Sequence, residues 1–272
     1  MFTHNISPIL ATLMGVKTIT IGAWSFTVGP LAIRYYSLAY ILGALFTYFF
    51  FYYLIKKGKI KFLDREKLDS LILYIVIGLI LGARLGFFLF YKPWVAWTDP
   101  IRILTIWRGG MSFHGGMIGC TIAGILFARK HKISFYKIAD IVMVPAALSL
   151  FFGRIANFIN GEVVGIPSTV PWCVVFPTVD DICRHPSQLY EAMKNLLLFG
   201  ITWFTLQKTF MKKYKEGTTL WTFITFYGLF RFLVTFLRED SRWLGISWGQ
   251  TLSLIMFVIG GIVLIRNKFK KS

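Results

Sequence analysis

Residues 143–165 read "MVPAALSLFFGRIANFINGEVVG". An apolar run with a single hydroxyl (Ser149) leads straight into an arginine, two asparagines and a glutamate (Arg154, Asn157, Asn160, Glu162), bracketed by Gly153, Gly161 and Gly165. The first half belongs inside a bilayer and the second at its edge. Charge at that depth is costly unless it is paired or solvated, so an arginine placed there needs a partner or a ligand.

The rest of the chain supports a membrane setting. Of its 272 residues, 56% are hydrophobic and 15% charged, and mean hydropathy is +0.64; a soluble domain is about one quarter charged. Several apolar runs of about 20 residues could each cross a hydrocarbon core roughly 30 Å thick. The expected fold is an all-α integral membrane protein, one polytopic domain over residues 1–272 with seven spans at about 33–55, 69–91, 114–130, 135–152, 187–207, 218–237 and 247–265. The formal charge of +18 does not point to nucleic acid, because the basic residues are segregated between the spans. Stretches 56–67, 129–137, 208–215 and 266–271 hold six, four, four and four Lys or Arg, 18 of the 30. Stretches 1–35, 91–113, 153–186 and 238–246 together hold nine. Basic loops stay in the cytoplasm, which puts the N-terminus outside, the C-terminus inside and the Arg154 stretch on the outer face.

The outer loops are long and aromatic, and Trp94, Trp97, Trp107 and Trp172 suit the interfacial belt. The first 32 residues lack the positive start of a signal peptide, Lys17 being the first basic residue, and are expected to form an arm on the outer surface. Gly78, Gly82 and Gly86 on one span, and Gly115, Gly119 and Ala123 on the next, promise close helix contact. Cys173 and Cys183 can pair only if their loop faces an oxidising compartment. Four scattered histidines with no HExxH exclude the usual metal centre, and no GxSxG marks a serine hydrolase.

Three constellations carry chemistry. Arg231 and Arg238 are seven residues apart, about two helical turns, so they share one face with Arg231 about 10 Å deeper. Either arginine alone would suit a structural ion pair. Together with Arg154 they suggest a site for phosphate, since the guanidinium fork matches phosphate oxygens and keeps its charge in a low dielectric. A phospholipid head group is the phosphate available at that depth. Asn157 and Asn160 suit hydroxyls or the satisfaction of a re-entrant turn. In "SFHGG" (112–116), His114 is either a packed residue at a helix start or a general base titrating near neutrality. "RHPSQLYEA" (184–192) enters the fifth span with Glu191 in the membrane, needing Lys194 or an arginine as partner. Arg84 and Asp140 sit nearer helix midpoints, where a structural ion pair is the default. At the first span, Tyr36 lies in an aromatic belt.

These motifs resemble the prolipoprotein diacylglyceryl transferase family. "GRIANFINGEVVG", "SFHGG", "RHPSQLYEA", "YGLFRF" followed by an arginine, and "SWGQ" (247–250) stand in that family's order and spacing over essentially the whole chain. The resemblance implies a bacterial inner-membrane enzyme of seven spans, N-terminus in the periplasm and active site facing that side. It would transfer the diacylglyceryl group of phosphatidylglycerol to the lipobox cysteine of preprolipoproteins, forming a thioether and releasing glycerol phosphate. It implies catalytic roles for Tyr36, His114, Arg154 and Arg231, and head-group binding by Arg154, Asn157, Glu162, Gly165, Arg231 and Arg238. Glu162 would orient an arginine. One departure is Thr235, where the family carries a glutamate four residues after the inner arginine; Glu239 and Asp240 are the nearby substitutes. The chemistry requires no cofactor. The partners are the lipid, the peptide and the surrounding membrane, not nucleic acid. The thiol proton could leave to His114, or the arginine field could lower the thiol pKa directly. A phosphatidylglycerol-binding transporter or scramblase is the alternative, disfavoured because the polar clusters gather on one side and no internal repeat is evident.

Overall fold

The computed structural model describes residues 2–4, 9–14, 17–21, 24–28, 31–105, 109–240, 242–243 and 246–269. Among them are seven long helices: α1 (Tyr35–Lys56), α2 (Arg65–Tyr91), α4 (Phe113–Lys130), α5 (Phe135–Asn160), α6 (Ser187–Phe210), α7 (Thr218–Thr235) and α8 (Trp248–Phe269). A one-turn helix, α3 (Val95–Thr98), lies between α2 and α4. Each expected span falls on one long helix. Four stretches are long and apolar enough to cross a membrane: Ser37–Lys56, Arg65–Tyr91, Phe135–Asn160 and Trp248–Asn267. The other three helices are diluted by what they carry. α4 has four glycines, α6 has Gln188, Glu191, Lys194 and Asn195, and α7 has five threonines and Arg231. The chain is a helical membrane protein whose long helices keep large apolar side chains such as Leu85, Leu89 and Leu197 exposed, as lipid-facing surfaces do.

The long helices make the fold all-α, and the arm before them adds antiparallel ladders of β2 (Ile9–Met14) with β5 (Leu31–Arg34) and β3 (Lys17–Ile21) with β4 (Trp24–Val28). "KTITI" and "WSFTV" alternate β-branched or aromatic residues with polar ones, a strand pattern. The strand persists through Arg34, so the first helix starts at Tyr35. The helix that carries the expected fourth span runs past residue 152. Nothing in "GRIANFIN" breaks a helix, so α5 runs on to Asn160 and stops at Gly161, whose φ of +66° is the left-handed conformation glycine adopts freely. Arg154, Asn157 and Asn160 therefore occupy the last helical turns of α5, and only the residues after them form the turn. Trp107, and the side chains of Tyr36 and Trp97, lie outside the described residues.

The chain divides into two compact units, residues 48–141 and residues 1–47 with 142–272. In the first, α2 lies against α4 through the expected small residues: a Cβ on Gly82 would come within 2.4 Å of the Gly115 carbonyl oxygen. Arg84, buried on α2, spends all five N–H donors on main-chain carbonyls. Nε donates to Ile103 at 2.8 Å, Nη2 to Arg102 at 2.6 Å and Thr105 at 2.9 Å, and Nη1 to Gly110 at 2.9 Å and to Gly109. This arginine thus organises the segment that leads into α4. Ser112 then caps α4, its hydroxyl accepting from the Gly115 N–H at 3.2 Å.

The second unit holds α6, α7, α8 and the segment after α5. There β1 (Phe2–Thr3), β6 (Val174–Val175) and β7 (Cys183–Arg184) form a small sheet in the order β1-β6-β7. A Cys173–Cys183 disulfide, with Cα atoms 5.5 Å apart, closes it. "SWGQ" proves to be a capping box at the start of α8. The Ser247 hydroxyl accepts from Gln250 N–H at 3.1 Å while Gln250 Oε1 accepts from Ser247 N–H at 2.9 Å.

Candidate active site

The site lies in the second unit, where the end of α5, the start of α6 and the end of α7 meet. Its centre is Glu191, with a side chain 1% exposed. A carboxylate that deep is tolerable only with cations around it. Four are present. Arg154 Nε is 3.4 Å and Lys194 Nζ 3.1 Å from Oε2; Arg238 Nη1 is 3.5 Å from Oε1, which also accepts from Arg231 Nη1. Asp240 joins from beyond α7, with Oδ1 2.9 Å from Arg238 Nη2 and Oδ2 3.9 Å from Arg231 Nη2. Among the described residues in direct contact, four cations therefore face two carboxylates, a surplus of two positive charges.

The "GRIANFING" stretch forms a second layer of contacts. Arg154 Nη1 donates to Asn157 Oδ1 at 3.1 Å, and Asn157 Nδ2 donates to Glu162 Oε2 at 3.5 Å. Asn160 Nδ2 donates to Glu162 Oε1 at 2.6 Å. Among the described residues Arg154 engages Nε and Nη1 but not Nη2, and its side chain is the most exposed of the three arginines at 20%. The start of α6 reaches back to the same turn: Ser187 Oγ donates to the Val163 carbonyl and Gln188 Nε2 to that of Glu162, both at 2.8 Å. Gly165 lies where the chain passes closest. A Cβ there would be 2.4 Å from the His185 carbonyl oxygen and 2.7 Å from that of Leu237, and Gly165 forms a β-bridge with Arg238.

Arg184 holds this layer to its neighbours. Nη1 donates to the Gly165 carbonyl at 3.1 Å and to Glu239 Oε2 at 2.7 Å, and Nε to Asp180 Oδ1 at 3.0 Å. The Arg184 hydrogen bond holds the Asp180 carboxyl below its ordinary pKa, and the same bond raises that of the guanidinium.

The structure thus brings together Arg154, Asn157, Glu162, Gly165, Arg231 and Arg238. The carboxylate among the arginines is Glu191, which lies outside that set, whereas Glu162 accepts from the two asparagine amides. The buried hydroxyl of Thr235 donates to the Arg231 carbonyl at 2.6 Å, and the carboxylate that reaches both Arg231 and Arg238 besides Glu191 is that of Asp240. His114 belongs to the other unit, exposed in the first turn of α4 with its ring edge-on to Phe113 at 5.7 Å. Tyr36 is the second residue of α1. Glu191 has both kinds of partner that its place in an apolar span demands, Lys194 three residues on and the arginines.

The family model for prolipoprotein diacylglyceryl transferase matches residues 23–266. The chain is 46% identical to the phosphatidylglycerol--prolipoprotein diacylglyceryl transferase of Bordetella avium (strain 197N) over 251 residues, covering 90% of this chain and 93% of the relative. The enzyme of the same name from Rickettsia africae (strain ESF-5) is 43% identical over 251 residues, with 90% and 96% covered. That of Rickettsia bellii (strain OSU 85-389) is 40% identical over 249 residues, with 89% and 94% covered.

Proposed function

The chain belongs to the prolipoprotein diacylglyceryl transferase family, and from that premise we propose that it transfers the diacylglyceryl group of phosphatidylglycerol to the cysteine thiol of a prolipoprotein. The observation that carries this reading is the surplus of two positive charges around Glu191. A phosphodiester bearing one negative charge is attracted to it, and the monoester that leaves, with about −1.5 to −2 at neutral pH, more strongly. Arg154, Arg231 and Arg238 grip the phosphate with their forks, and Asn157 serves the head-group hydroxyls or its own turn. Glu191 and Asp240 fix the guanidinium planes beforehand, which is how electrostatic stabilisation avoids reorganisation during reaction.

The thiolate attacks the glycerol carbon that carries the phosphate ester. A carbon–sulfur bond forms and the carbon–oxygen bond breaks, its electron pair leaving on the phosphate oxygen of glycerol phosphate. On the family's motifs, His114 takes the thiol proton as general base and Tyr36 has a catalytic role. These assignments rest on residue chemistry and on the family's motifs.

We place the protein in a bacterial inner membrane as one domain of seven spans, with N-terminus and site on the periplasmic side. Two observations support that orientation: the concentration of Lys and Arg in alternate loops, and a Cys173–Cys183 disulfide in a segment assigned to the oxidising side. The test is direct. Detergent-solubilised protein is incubated with phosphatidylglycerol and a lipobox peptide, and the peptide is weighed by mass spectrometry. Addition of one diacylglyceryl group to the cysteine is expected; lipid binding with no mass change would favour a transporter.

A further inference from the structure

Lys194 is a costly residue to put where it is. It sits on α6 three residues after Glu191, 7% exposed, with its ammonium 4.1 Å from the centre of the Tyr227 ring. It lies 3.1 Å from Glu191 Oε2 but off the line of a hydrogen bond, so its attraction to Glu191 is charge to charge. The amide of Asn195, 1% exposed, and Oε1 of Gln188 are likewise left without hydrogen-bond partners among the described residues. An ammonium taken out of water loses several kcal/mol of solvation, which the Tyr227 face only partly returns. Ordinary packing would be served better by an aliphatic side chain of similar length.

We propose that Lys194 is a positioning residue that sets the charge of the site for its doubly charged leaving group. This rests on the transfer reaction above. Lys194 and Arg154 approach the same carboxylate oxygen, so Lys194 offsets charge that would otherwise be drawn from Arg154. With Lys194 the surplus is two, equal to the charge of a phosphate monoester; without it the surplus is one, enough for the diester substrate. A fixed charge stabilises a dianion more than a monoanion, and the second charge appears only as the carbon–oxygen bond breaks. Lys194 therefore favours the transition state over the bound lipid, an effect on kcat rather than KM.

The experiment uses the full-length protein in the transfer assay at pH 8, with glycerol 1-phosphate (dianion) and glycerophosphoglycerol (monoanion) as inhibitors. In Lys194→Met, inhibition by glycerol 1-phosphate should weaken roughly tenfold or more, the scale of one charge-assisted contact, with little change for glycerophosphoglycerol. kcat should fall in proportion at nearly constant KM, and Lys194→Arg should restore both. If Lys194→Met does not accumulate as folded protein, Lys194→Gln tests the same charge. Equal weakening of both inhibitors, or a loss confined to KM, overturns this proposal alone. A wild-type protein that transfers nothing and is bound by neither anion overturns the functional reading and this proposal with it.

Discussion

Arg238 Nη2 lies 2.9 Å from Asp240 Oδ1, two residues along the chain. Asp240 also reaches toward Arg231, so one carboxylate outside α7 steadies both arginines from a position that local sequence order alone makes available. Asp240→Asn should therefore reduce kcat/KM about tenfold, the scale of one charge-assisted contact, while Asp240→Glu keeps most of it. Steady-state kinetics on purified variants decides this. An Asp240→Asn protein with unaltered kinetics would leave Thr235 uncompensated and the two-carboxylate account wrong.

Arg154→Lys and Arg231→Lys keep the charge and lose the fork. Both should remain severely impaired, because an ammonium cannot hold Glu191 and a phosphate at once in a planar, bidentate way. Thermal melting of each variant separates misfolding from lost chemistry. Near-normal turnover in both would mean that a diffuse positive field suffices.

His114→Gln tests proton removal. A cysteine thiol has an ordinary pKa of about 8.5, so little of it is thiolate at pH 7. If His114 is the base, worth about 10²–10⁴ in rate, the variant should lose most activity at pH 7 and regain part of it near pH 9. A defect equally deep at both values, in folded protein, assigns the thiol's activation to the arginines.

Orientation is open to labelling. With Cys120→Ser as background, which leaves the disulfide intact, Thr169→Cys should react with a membrane-impermeant maleimide in intact spheroplasts. Lys59→Cys and Lys213→Cys should react only after the membrane is opened. Reaction of Lys59→Cys in sealed cells would invert the topology.

The Asp180–Arg184 pair makes an acid-sensitive clasp. The Arg184 guanidinium holds the carboxyl of Asp180 below the ordinary carboxylate pKa in the folded state. Its contribution to stability is therefore present in full above the unfolded value and is lost as pH falls through the folded one. Melting temperatures of wild type and Asp180→Asn should differ at pH 7, and the gap should start to close only as pH falls below about 3.8, the reference carboxylate value. A gap that persists unchanged at low pH would show that the aspartate acts through packing instead.

Much of this protein is legible along the chain because the signals are local. Apolar length placed seven helices, the glycines of α2 and α4 announced their contact, and the serines of "SFHGG" and "SWGQ" close their helix starts within three residues. The extension of α5 is equally local, but polarity marks the bilayer edge whether or not the helix continues beyond it. Periodicity cannot assign partners across helices. Glu191 lies 40 residues from Arg231 and 47 from Arg238, and nothing in that spacing tells it from Glu162 as the carboxylate at the centre. Packing of α6 against α7, and the bridge of Gly165 to Arg238, made that choice. A buried carboxylate is bearable only where several cations converge, and convergence is a property of the folded chain.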